Sequence, residues 1–235
     1  MIRARAKQRL IPGTLQIPSH EKVKQLISSA QLHIGLHLDG IPPLDERVQD
    51  LLAGKKGTLK AILRGIDHLV HAVDDLEGCA DAFRRLGFTL TPRGRHRNMA
   101  TGNYCIMFAD DYIELMGIID PDLPDRGLRD RMVAQGEGLD RCAFAVDDVD
   151  AAFTTLSAAG FRVNGPIDLR RPLELPEGEV EPRFRLIRFD GNETRLLNGF
   201  ICYHDTPEIT RRPDWLTHAN GVTRILGLVA VAADP

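Results

Sequence analysis

Lysine is missing from the chain after residue 60, and Phe, Tyr and Trp are missing before it. Neither sign of charge dominates the 235 residues, whose formal net charge is −3. Nucleic acid and anionic membrane surfaces call for a concentrated basic field, so neither is an expected partner. The longest apolar run, Ile225 to Ala233, is too short to cross a bilayer. The opening residues do not read as a secretory signal. The four cysteines, Cys79, Cys105, Cys142 and Cys202, are widely spaced, with no CxxC pair for zinc or redox chemistry and no dense disulfide pattern. Together these absences give the expectation of a cytoplasmic protein with reduced thiols. No nucleophile elbow, phosphate loop or dinucleotide fingerprint occurs, so the common hydrolase, kinase and dehydrogenase classes lack local support.

The uneven use of lysine and aromatics divides the chain. Residues 1–60 hold ten basic and five acidic residues, net +5; the rest hold twenty and twenty-eight, net −8. A segment without aromatics lacks the largest contributors to core burial. Residues 1–60 therefore read as an N-terminal extension, peripheral or partly disordered, with a docked helical arm or upstream sequence from a misplaced start as the other readings. Helices in such an arm would fall near Glu21–Ala30 and Leu44–Leu52. The basic start, Arg3, Arg5, Lys7 and Arg9, has no apolar face beside it and argues against organelle targeting.

From Gly65 an internal repeat sets in. Ala72-Val73-Asp74-Asp75-Leu76 returns as Ala145-Val146-Asp147-Asp148-Val149, and Leu86-Gly87-Phe88 returns as Ala159-Gly160-Phe161 at the same shift of 73 residues. Each unit reads as a strand, an acidic helix cap, a helix, a glycine turn and further strands. The aspartates suit helix N-termini, where unpaired backbone amides and the positive dipole end meet a carboxylate. The glycines suit the C-terminal turn. Leu76, Cys79, Ala80, Phe83 and Leu86 form one apolar stripe; Val149, Ala152, Phe153, Leu156 and Ala159 form the other. Strands follow at Tyr104–Ala109 and Tyr112–Gly117, and at Phe184–Phe189 and Gly199–His204. The expected fold class is α+β: tandem βαβββ modules, about 65–120 and 138–206, forming a shared concave mixed sheet with helices outside. Gly221–Pro235 reads as a further opening strand. An unpaired apolar edge there would favour a homodimer.

Period-two alternation selects the residues that reach the concave face. His68, Val70 and Ala72 point one way and Leu69, His71 and Val73 the other; the second set suits packing under a helix, so His68 faces the cavity. Its repeat counterpart is Arg141. Glu114 interrupts an apolar strand and needs a cation, a donor or water. In the second unit Phe200, Cys202 and His204 share a side. His68, Glu114 and His204 are thus candidates to converge as a facial set for a divalent metal ion. The other reading pairs Glu114 with Arg141 and leaves the histidines as strand-end hydrogen-bonding groups.

The loop Thr91–Asn103 crowds Arg93, Arg95, His96 and Arg97 into one connection. Arginine forks recognise carboxylates or phosphates, which makes Arg95, His96 and Asn103 substrate-binding candidates with Arg141; solvated loop charges are the plainer account. Trp215, the single tryptophan, forms either an apolar wall against a substrate or the anchor of a loop. His218 and Asn220 beside Gly221 read as a turn. The insert near Asp168–Pro182, rich in Pro, Glu and Arg, reads as a flap over the cavity mouth.

The run Gly65-Ile66-Asp67-His68-Leu69-Val70, the helix after Asp74-Asp75, Leu86-Gly87-Phe88, Gly94-Arg95-His96 and Asp111-Tyr112-Ile113-Glu114-Leu115 together resemble the glyoxalase-like domain of the vicinal oxygen chelate superfamily. That group includes glyoxalase I, extradiol dioxygenases and bleomycin-resistance proteins. The resemblance covers residues 65–235 and implies a divalent-metal-dependent enzyme acting on a small oxygenated metabolite, with the metal (Zn, Ni, Fe or Mn) and the reaction (lyase, isomerase or dioxygenase) left open. It implies metal ligation by His68 and Glu114, with Glu114 as ligand or base. At the second pair the sequence departs from the pattern: Arg141 replaces a histidine, and His204 lies near the expected ligand without being the usual glutamate. A non-catalytic small-molecule-binding or resistance-type protein is the alternative.

Overall fold

The repeat read from the sequence sets two matching strand–helix units side by side in the computed structural model, which describes residues 57–190 and 198–228. The first unit opens with β1 (Gly65–Ala72), enters α1 (Leu76–Arg85), and continues through the short β2 (Gly94–Arg95), β3 (Thr101–Met107) and β4 (Tyr112–Ile118). A helix that the sequence pattern did not mark, α2 (Leu128–Gln135), leads to the second unit. That unit consists of β5 (Gly138–Ala145), α3 (Val149–Ala158), β6 (Val163–Arg170), the hairpin β7 (Leu173–Leu175) and β8 (Gly178–Val180), β9 (Arg183–Phe189) and β10 (Phe200–His204). The short helix α4 (Pro207–Thr210) and a single helical turn at Pro213–Trp215 follow.

Local chemistry explains the two main helices. Asp75 accepts from the Gly78 amide at the start of α1, and Asp148 accepts from the Asp150 and Ala151 amides at the start of α3. Just beyond their ends, Gly87 and Gly160 adopt φ of 86° and 77°, a region costly for residues with a Cβ. The apolar stripes behave as expected. Leu76 and Ala80 pack on Val73, Tyr104 and Leu115, and Val149, Ala152 and Leu156 pack on Val146, Ile187 and Ile201.

The strands form one sheet in the order β6-β9-β10-β5-β1-β4-β3-β2-β7-β8. Each unit places its first strand next to its last, and β1 and β5 join the halves antiparallel. Within each half, β1 runs parallel to β4 and β5 parallel to β10. This is the expected α+β architecture of tandem βαβββ modules, with α1 and α3 on the outer face and a cavity on the inner one.

Three details differ from the sequence reading. The insert near Asp168–Pro182 is not a free flap: it continues β6, crosses to the first module and pairs with β2 through Gly94↔Leu173. Residues 221–228 form no strand, and the Ile225 amide is bonded to the Asp111 carboxylate rather than to a ladder. The last seven residues of that segment lie outside the described residues, as do residues 1–56 and the helices expected there. Leu59, Ile62 and Leu63 pack against the second module's helix cluster, so the folded part reaches back past Gly65.

Candidate functional site

A cavity of about 250 Å³ occupies the inner face of the sheet. Its polar floor is made by His68, Tyr112, Glu114 and His96, and an apolar wall by Leu169, Phe184, Leu186 and Phe200. Alternation along β1 and β4 places His68, Val70, Tyr112, Glu114 and Met116 on this face, as the sequence required. The parallel register sets His68 beside Tyr112 and Val70 beside Glu114, and the His68 and Tyr112 rings stack 4.4 Å apart.

Glu114 is the hub. Its Oε2 lies 3.6 Å from His68 Nε2 and its Oε1 lies 3.7 Å from His96 Nε2, while Asn103 donates its side-chain amide to Oε1. Burial pushes the Glu114 carboxyl up, but His68, His96, Arg171 and the Asn103 bond outweigh it, holding the group below the ordinary carboxylate range. The distal nitrogens of both imidazoles are engaged elsewhere. His68 Nδ1 bonds the Asp67 carboxylate at 2.6 Å, and His96 Nδ1 shares a hydrogen bond with the Thr101 hydroxyl at 2.8 Å. Burial lowers the His96 pKa, favouring a neutral ring. Two Nε2 atoms thus address one ionised carboxylate, each ring fixed from behind. This is the arrangement by which outer carboxylates and hydroxyls orient metal-binding imidazoles.

His204 stands apart from this hub. Its Nε2 meets Asp67 at 3.2 Å, its ring lies edge-on to Phe184, and its Nδ1 is buried with no hydrogen-bond partner. Among the described residues, the three-residue group whose donor atoms lie within 4.8 Å of one another is Asp67, Cys202 and His204; neither His68, Glu114 and His204 nor His68, Glu114 and His96 closes to that distance. Burial lifts the Cys202 thiol well above its usual range, and Asp67 adds to this. The Asp67 carboxylate is held low: burial opposes ionisation, and the bonds from His204 and His68 overcome it.

The other expected residues separate. In the arginine-rich loop, Arg93 pairs with Glu77 at 3.0 Å, Arg95 with Glu179 at 3.0 Å, and Arg97 with Glu181, all at the surface. Only His96 of this group turns inward. Arg95 therefore braces the crossing hairpin instead of lining the cavity. Asn103 is fully buried and acts on Glu114. Arg141 lines the cavity, with Nε on Asp140 at 2.8 Å, and does not pair with Glu114. Trp215 is not among the cavity residues. It is buried against Cys105, Met107 and Tyr112, with Arg212 over its ring, which is the loop-anchor arrangement. His218 also anchors, bonding the Met107 carbonyl at 2.9 Å and accepting from the Thr89 amide at 3.0 Å.

Asp67, behind the cavity floor, and Arg171, in its lining, were not singled out from the sequence. Asp67 should face away from His68 by strict alternation, yet a bulge in β1 between Ile66 and His68 brings both side chains together. An acidic residue next to a histidine in an apolar strand was the available signal. Arg171 carried none, since it sits in a charged insert whose path only long-range pairing reveals.

No helix among the described residues is long and apolar enough to cross a membrane. Among curated proteins no sequence matches. Several solved structures are similar. A hypothetical protein from Staphylococcus aureus is 18% identical with a TM-score of 0.49, and 60% of this chain aligns with 59% of that one. A hypothetical protein from Bacillus halodurans is 14% identical over 58% of this chain and 91% of that chain, TM-score 0.44. Methylmalonyl-CoA epimerase from Mycobacterium tuberculosis is 18% identical over 61% and 88%, TM-score 0.45. The chain thus spans about three-fifths of the Staphylococcus structure's length. The profile of the glyoxalase-like domain matches residues 66–235, which takes in both βαβββ units and every cavity residue named above. On that match the chain belongs to the glyoxalase-like domain family of the vicinal oxygen chelate superfamily.

Proposed function

We propose that this protein is a divalent-metal-dependent enzyme acting on a small oxygenated molecule held in the inner cavity, with His68, Glu114 and His96 as the metal-binding face. The reading rests on one observation: the Nε2 atoms of His68 and His96 stand 3.6 and 3.7 Å from the two oxygens of a single buried carboxylate. With the other ring nitrogens spent on Asp67 and Thr101, the donor set suits a hard-to-borderline divalent cation with open positions for substrate oxygens. A bound ion would polarise adjacent oxygens of the substrate and stabilise the negative charge that develops when a neighbouring proton leaves. The chain's own residues do the rest. Asn103 fixes one oxygen of Glu114, Asp67 holds the His68 ring, and Phe184, Leu186 and Phe200 shield the site from water. Glu114 serves as ligand or as the base receiving the proton.

His204, grouped with His68 and Glu114 from the sequence, takes a supporting part in this reading by bonding Asp67. The group Asp67, Cys202 and His204 brings its donor atoms within 4.8 Å of one another, but Asp67 already serves two imidazoles and burial favours the neutral thiol, so it is the second candidate ion site. The apolar wall favours a second reading, a protein that sequesters a small apolar compound without chemistry.

Metal titration decides. Calorimetry with Mn²⁺ and Zn²⁺ is expected to show stoichiometric binding that His68→Ala, His96→Ala and Glu114→Gln each weaken at least about tenfold, with His204→Ala much milder. Loss in His204→Ala together with retention in His96→Ala would move the ion to the Asp67 group. A wild-type protein that binds neither metal would leave the sequestering reading.

A further inference from the structure

Arg171 has no task in the reaction proposed above. It follows β6 directly, where the chain leaves the second module for the edge of the first. Arg170 turns outward to Glu181 at 3.0 Å, whereas Arg171 turns inward, where it is 4% exposed and lines the cavity. A guanidinium does not lose its proton in a protein, so a full cation is buried there. Its direct contacts do little to balance it. Nη1 donates to the Cys105 sulfur at 3.0 Å, the cation lies 5.5 Å from the centre of the Phe184 ring, and Nε is a buried donor with no acceptor. Among the described residues, no carboxylate lies within 4.0 Å of it. A sulfur is a weak acceptor, and a buried cation short of an anion is costly.

The rest of the cavity has the same bias. Arg131 and Arg141 share Asp140, while Arg126 and Arg188 have no acidic partner among the described residues. Facing these guanidinium groups, the lining offers only Glu114 and Asp125.

We propose that Arg171 is the anchor for a carboxylate of the substrate, which makes the substrate class small organic acids with a further oxygen close to that carboxylate. The planar fork, with Nε unpaired, matches a carboxylate in two parallel hydrogen bonds. The neighbouring oxygen then faces Glu114 and His96, which line the same cavity. A single negative charge suits the place better than a phosphate dianion, since the acidic side chains of Glu114 and Asp125 share the cavity lining. The volume of about 250 Å³ restricts the ligand to a small acid.

This assignment rests on the cavity being the substrate site, but Arg171 is outside the proposed metal-binding face, so the two can fail separately. The full chain is titrated by calorimetry with acetate, oxalate, 2-oxobutyrate and benzoate, with the amide of each, and with inorganic phosphate. At least one acid is expected to bind at least about tenfold more tightly than its amide. Arg171→Met is expected to weaken that acid at least about tenfold while stoichiometric Mn²⁺ binding is retained, and Arg171→Lys, which keeps the charge and loses the fork, to fall between. In the wild-type protein labelled with ¹⁵N-arginine, the Arg171 Nε–H signal, identified by its loss in Arg171→Lys, is expected to move when the acid is added. That signal decides the matter even if Arg171→Met fails to fold. Equal binding of acid and amide, phosphate binding tighter than every acid, or an Nε–H signal that no acid moves would overturn the assignment. Loss of acid binding in Arg171→Met by a protein that binds no metal would retain the carboxylate anchor and remove the metal-dependent reading.

Discussion

Asp67 and His68 are neighbours in an eight-residue strand, yet their side chains meet, because the pairing of β1 with β5 slips between Ile66 and His68. That slip gives the cavity a carboxylate behind its histidine, with His204 on the same carboxylate. A second histidine shows the opposite use. His218 is buried between the Phe88 and Phe108 rings, with Nε2–H on the Met107 carbonyl and Nδ1 accepting from the Thr89 amide. Burial lowers its pKa, against a smaller opposing effect of the Met107 bond. Its folded pKa therefore lies below the unfolded value of about 6.5. The unfolded chain takes up this proton first, so full stability holds above about pH 6.5 and declines as pH falls below it. His71 shifts in the same direction through burial. Thermal unfolding measured from pH 7.5 to 5 is expected to show a falling midpoint, and His218→Gln to give a lower midpoint at pH 7.5 with a shallower fall. An unchanged slope in that variant would show that His218 does not titrate as its environment requires.

At the scale of elements, the helices were legible because each signal is local: an aspartate cap, an apolar stripe and a closing glycine within some thirteen residues. The edge of the first module was not. β2 has two residues, and its importance lies in what it lets approach. A Cβ on Gly94 would collide with the Asn103 carboxamide oxygen, while the Arg171 side chain stands at ordinary contact distance. Glycine at this place thus keeps Asn103 close to Glu114, although nothing in the local pattern distinguishes it from a turn glycine. Gly94→Ala is expected to cost about 1–3 kcal/mol in urea unfolding, as overpacking of a filled site does. It is also expected to weaken Mn²⁺ binding severalfold by displacing the Asn103 amide. Unchanged metal affinity with lowered stability would confine Asn103 to a packing role.

At the scale of the whole molecule, the sheet is long because the second module lends its hairpin to the first. The join is thin. One ladder pair, Gly94↔Leu173, is reinforced by the Arg95 amide on the Pro172 carbonyl and by exposed ion pairs of Arg95 with Glu179 and of Arg97 and Arg170 with Glu181. Exposed pairs of this kind stabilise little and are screened by salt. Hydrogen exchange followed by mass spectrometry is expected to show β7 and β8 opening well before the central β1, β4 and β5, with the difference widening at high salt. Equal protection would mean that the hairpin unfolds only with the whole sheet. An acid held by Arg171, at the start of this crossing, would slow the exchange.

The sequence by itself determined the repeated unit: its caps, its helical stripes, the alternation that turns His68 and Glu114 to one face, and the inward turn of the second module's Cys202 and His204. These follow from dihedral periodicity and from groups a few residues apart, so the chain carries them wherever it lies. Tertiary structure alone decided which side chains meet. His96 rather than His204 joins His68 at Glu114, Asp67 comes to meet the His68 ring, and Arg171 arrives in an insert whose Leu173 pairs with Gly94, about eighty residues earlier in the chain. Each of these depends on strand slip, sheet curvature or a crossing hairpin. Those are fixed by pairing between distant segments, and no local pattern records them.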